Sequence, residues 1–223
     1  MARPGPGPGP GPGGVLPCDA FTALYNYLAG YSPGTGVVGS TTAQYQAEQV
    51  YRAFWKDDVD QWAPSGTTIN FDTAYPPSSW GYSTVNSSGQ FYDPTNNQVA
   101  TAITGITSNQ TDYTIRLSPG AFKQQAQDPW WLVSVQGHEL VHVWLNVQGH
   151  GLLPDANQDY IANRFQAAFW TKLGVTAQAN FYNTAAANLK SQHQSESTWN
   201  QTQIDTLVSN LPGIPNTVIT NPC

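Results

Sequence analysis

His138, Glu139 and His142 are the residues of this 223-residue chain whose types and spacing could do chemistry. On a helix, side chains four apart leave the same face about one turn apart, so the two imidazoles could close on one metal ion. The carboxylate between them would then lie beside the metal as a general base. Imidazole nitrogens at that spacing suit zinc, and the chemistry implied is hydrolysis by an activated water whose proton Glu139 takes. The chain has only four His and three Glu, so this five-residue string gathers half of the histidines. The plain alternative is a helix carrying two ordinary polar histidines.

A catalytic zinc takes three protein ligands and keeps one position open. Candidates for the third are Asp159, Asp155 and His150, and further along the chain His193 and Glu196. A helix continuing from His142 to Gly149 carries the chain about 10 Å onward before it can turn back, which makes His150 a loop residue. Asp159 opens the segment Asp159-Tyr160-Ile161-Ala162-Asn163, in which Asn163 stands one turn on. An amide oxygen there could accept an imidazole N–H and fix its tautomer. Read without a metal, Asp159 is an acid near a helix N-terminus, favoured by the dipole.

His138-Glu139-Leu140-Val141-His142 is the HExxH string of the zincin metallopeptidases, and Asp159 with Asn163 resembles the Glu-x-x-x-Asp element of gluzincins. Asp in place of Glu resembles the third ligand of aspzincins such as deuterolysin. The aspzincin Gly-Thr-x-Asp-x-x-Tyr-Gly string is absent, and the late Gly149 does not meet the metzincin pattern. The resemblance covers about residues 113 to 173. It implies a zinc-dependent metalloendopeptidase with one catalytic Zn²⁺ on His138, His142 and Asp159, Asn163 behind a ligand histidine, and a peptide or protein substrate. It also implies an edge strand at Tyr113 to Leu117 that would pair with an extended substrate backbone. Tyr160, Tyr182 and His193 have the chemistry to stabilise an oxyanion. Alternatives are a zincin-shaped binding or adhesion module without turnover, and a zinc hydrolase acting on a non-peptide substrate.

The elements that must position these residues are legible in outline. Asp128-Pro129 gives a helix start and Gly149 a stop, placing both histidines mid-helix. Upstream, Asp19 opens a short helix ending at Gly30, and Ser40 to Thr42 open another whose Tyr45, Val50, Tyr51, Phe54 and Trp55 form a core stripe. Asp57, Asp58 and Asp60 read as a solvated loop, with a structural calcium site as the alternative. Short β-branched runs at 67–71, 81–85, 99–103 and 113–117 read as strands of one small sheet. After a loop from His150 to Asn157, helices follow from Asp159, from Thr176 and over Gln201 to Asn210. The class expected is α+β: a small, mostly antiparallel sheet, an active-site helix, and a mostly helical part from about 150.

Residues 1–17 carry a Pro-Gly linker that would tether the domain at 18–223 to a larger upstream polypeptide. Cys18 and Cys223 could staple the ends of that domain as a disulfide, which suits an oxidising compartment. The amide-rich, sparsely charged composition points the same way, to a secreted protein, although Met1 to Arg3 open no signal peptide. A net charge of -6 gives no footprint for nucleic acid, and no apolar run is long enough for a membrane span. The domain is expected to act as a monomer.

Overall fold

The structure is a computed structural model that describes residues 40–106, 111–123, 130–196 and 200–214, with no side chains described at 123 and 191–196. The Pro-Gly linker, the helix from Asp19, the Cys18–Cys223 pair and the Asp128-Pro129 helix start lie outside the described residues. So do the side chains of His193 and Glu196.

Among the described residues there are seven α-helices and two small sheets, an α+β arrangement. In chain order they are α1 (Thr41–Phe54), α2 (Lys56–Trp62), β1 (Thr68–Asp72), β2 (Thr84–Val85), β3 (Phe91–Asp93), β4 (Gln98–Ala100), β5 (Ala102–Ile106), β6 (Asp112–Leu117), α3 (Pro119–Lys123), α4 (Trp130–Val147), α5 (Asp155–Lys172), α6 (Thr176–Glu196) and α7 (Gln201–Ser209). They form two compact units, one containing the described residues up to Asp57 and Ser65–Val135, the other Asp58–Pro64 and the described residues from Gln136 on. The boundary falls inside α4.

In the first unit, Ser40 caps α1 by accepting from the Ala43 amide. The buried stripe is Ala43, Ala47, Val50, Tyr51 and Phe54, and it lies against β1. Tyr45 is exposed, because it stands about 200° around the helix from Ala43 and off the stripe. Sheet order is β1-β6-β5, with β6 parallel to β1 and antiparallel to β5. Tyr113, Ile115 and Leu117 of β6 alternate into the core. Because β6 is the central strand, its backbone is paired on both sides and it is not the expected edge; the outer strands are β1 and β5.

The second sheet, β2-β3-β4, was not expected as a separate body. The run at 99–103 breaks at Thr101, whose carbonyl accepts from the Ser118 amide and hydroxyl, and its two halves join different sheets. β3 carries little strand signal in the sequence, since Phe91 and Tyr92 are only two apolar residues between turn formers. Asp57, Asp58 and Asp60 lie in α2, a helix and not a loop.

In the second unit α5 is buried over much of its circumference, through Ala156, Tyr160, Ile161, Phe165, Phe169 and Trp170. It packs against α6 and α7. Of its buried side chains, Ile161, Phe165 and Phe169 each contribute about 1.5–3 kcal/mol on burial. α5 starts at Asp155, one turn before the expected Asp159, with Pro154 at its N-cap. Gly149 and Gly174 close α4 and α5 in the same way. Each has a positive φ, and the following amide reaches back to the carbonyl five residues earlier, His150 to Leu145 and Val175 to Trp170.

Candidate metal centre

From Leu132 to Leu145 every residue of α4 is buried except His138 and His142. A stretch this apolar must be covered nearly all round, and between Leu132 and Leu145 its only opening is at the two imidazoles one turn apart. Their rings stand 5.2 Å apart between centroids.

Asp159 meets them from α5. Its Oδ1 lies 3.8 Å from His138 Nε2 and 3.5 Å from His142 Nε2. Both distances are too long for a charge-assisted hydrogen bond, which closes to about 2.7–2.9 Å. They are close to the edge of a zinc tetrahedron, about 3.3–3.6 Å for ligand bonds of 2.0–2.2 Å. The three ligand atoms all lie within 4.8 Å of one another, the only such His, Cys, Asp or Glu group among the described residues. The donor set, two imidazoles and one carboxylate, is one that zinc takes in a catalytic site. With 47% of its side chain exposed against 18% and 19% for the histidines, Asp159 forms the solvent side of the group.

Electrostatics tie the trio together without a metal. Burial alone lowers the His138 pKa, but Asp159, then the charge of Glu139, outweigh it and raise the imidazole above its ordinary 6.5. For Asp159, burial pushes upward, and the two imidazoles pull its carboxyl below the ordinary 3.8. Glu139 is 4% exposed and follows His138 directly on α4.

The remaining residues singled out by sequence fall into two sets. Asp155 and His150 are described and do not join the metal-competent group: Asp155 begins α5, and the His150 amide closes α4. Asn163 does not stand behind a histidine. Its Nδ2 donates to the Asp159 carbonyl of its own helix at 2.8 Å, the bond that a short amide reaches most easily at i−4. The Tyr160 hydroxyl is engaged with Gln201 Nε2 at 3.3 Å and Arg164 Nη1 at 3.4 Å. Tyr182 is buried in α6 with its ring edge-on to Phe181.

Two residues that sequence reasoning passed over take the place foreseen for Asn163. Gln166 Oε1 lies 2.8 Å from His138 Nδ1, and Gln158 Oε1 lies 3.2 Å from His142 Nδ1. The order is inverted between the helices, so α5 runs antiparallel to this part of α4. The available signal was helical: Gln158, Asp159 and Gln166 lie within about 100° of one another around α5.

Compared with protein-family models, curated proteins and solved structures, the chain matches none.

Proposed function

We propose that this chain is a secreted zinc-dependent metalloendopeptidase of zincin-like fold, gluzincin-like in its layout, with an aspartate as third ligand. The single observation that carries the reading is the Asp159 carboxylate at 3.5 and 3.8 Å from two imidazoles that alone break the burial of α4 between Leu132 and Leu145. His138, His142 and Asp159 would hold the ion. Zinc there supplies a Lewis acid for the scissile carbonyl and a water whose pKa falls towards ~7. Glu139 takes the proton of the attacking water and delivers it to the leaving amine. The mostly buried imidazoles keep the ligand side dry, which strengthens each charge interaction.

The test is zinc stoichiometry together with cleavage of a mixed peptide library. The native chain should carry one zinc and cleave internal peptide bonds. Glu139→Gln should keep the metal and lose roughly 10²–10⁴-fold in rate. A chain that neither copurifies with nor rebinds zinc would sink the proposal, as would undiminished cleavage by Glu139→Gln.

A further inference from the structure

Both imidazoles are backed by carboxamides, and the bonding of one of them fixes its orientation. Gln158 Nε2 donates to the Leu153 carbonyl at 2.8 Å and to the Gly151 carbonyl at 3.4 Å. A carbonyl oxygen only accepts, so the Gln158 nitrogen must face that loop and its oxygen must face His142 Nδ1. That ring nitrogen therefore carries the proton, and in the neutral ring the lone pair sits on Nε2, the atom 3.5 Å from Asp159 Oδ1. At His138 the contact to Nδ1 is made by Gln166 Oε1 at 2.8 Å, from a side chain that is 3% exposed.

The geometry points to Gln158 and Gln166 as positioning residues of the metal centre: they hold both histidines as Nδ1–H tautomers, so that both Nε2 lone pairs converge with Asp159. This rests on the metal reading above. Imidazole in water prefers its proton on Nε2, so each ring must be held against its own preference before it can present that nitrogen. A single helix, α5, then supplies the third ligand and orients the other two. The clamp is neutral, so Asp159 brings the only negative charge among the ligands. An amide also withdraws less proton density from the ring than a carboxylate would, leaving the imidazoles weaker donors and the metal more acidic.

Two measurements separate this inference from the metal reading. In metal-free protein at about pH 8.5, above the ordinary imidazole value, long-range ¹H–¹⁵N spectra should show both histidines protonated at Nδ1. A proton on Nε2 of either would overturn the assignment, whether or not zinc binds. By competition with a chelator, Gln166→Leu should weaken zinc binding roughly 10–100-fold. Gln166→Glu, which keeps an acceptor at Nδ1, should hold native affinity or tighten it. Equal losses in the Leu and Glu variants would reduce Gln166 to packing and overturn the role. Should Gln166→Leu fail to fold, Gln158→Leu at a partly exposed position makes the same comparison against the native chain. A native chain that binds no zinc removes the positioning role along with the metal reading, while Nδ1–H spectra would still establish the clamp.

Discussion

At the scale of single residues, protons and zinc compete for the same side chains, and the directions of the His138 and Asp159 shifts set the outcome. The raised His138 value means that protonated His138 stabilises the metal-free fold below about 6.5, a contribution lost as pH rises through the higher folded value. The lowered Asp159 value contributes above about 3.8 and is lost as pH falls through the folded value. From these two groups, the metal-free protein is therefore best between those two limits and weakens on the alkaline side. Zinc requires unprotonated imidazoles, so its stabilisation grows over the same alkaline range. Melting curves in chelator and in excess zinc should diverge as pH rises from about 5.5 to 8. A gap that stays constant, or narrows, would mean that His138 and the metal do not share a site.

Among the elements, two glycines near the end of α4 separate stability from site geometry. Gly149 has φ +80° with no atom near a prospective Cβ, so Gly149→Ala costs backbone strain alone, about 1 kcal/mol. That should lower Tm by roughly 2–4 °C and leave zinc affinity unchanged. At Gly151 a Cβ would stand 2.2 Å from Asn146 Nδ2 and 3.2 Å from its Cα, so Gly151→Ala must turn the Asn146 amide aside and crowd its backbone, next to the loop whose carbonyls hold Gln158. Calorimetry and chelator competition should show both stability and affinity falling in that variant; unchanged affinity would uncouple the loop from His142. Such local features are what the sequence makes legible. Ser40, Gly149 and Gly174 act through their own neighbours, and the two histidines declare a shared face by spacing alone. Asp159 was legible as a carboxylate at helical reach, but Gln158 and Gln166 were not, since a helical glutamine takes its role from what lies opposite. The central position of β6 was hidden for the same reason: pairing with β1 is set more than forty residues away.

Across the whole molecule, every group assigned to the metal, its base and its clamps belongs to one of the two compact units. His138, Glu139 and His142 lie after Gln136, and Gln158, Asp159 and Gln166 lie in α5. The mixed sheet β1-β6-β5 and helix α1 belong to the other. A ligand that binds only the folded state stabilises by RT ln(1 + [L]/Kd), about 2.7 kcal/mol at a hundredfold excess over Kd. Local openings read that energy only where they break the site, because amide exchange proceeds through partial as well as global unfolding. Zinc should therefore slow exchange most in the C-terminal part of α4, from Gln136, and in α5. Amides of β6 that exchange by local opening should be unchanged. Equal protection in both units would mean that they open as one cooperative body, and the site would then be a staple for the whole chain. Protection confined to α4 and α5 would make it a clasp on one helical pair, leaving the sheet-bearing unit to stand on its own core of Tyr113, Ile115 and Leu117.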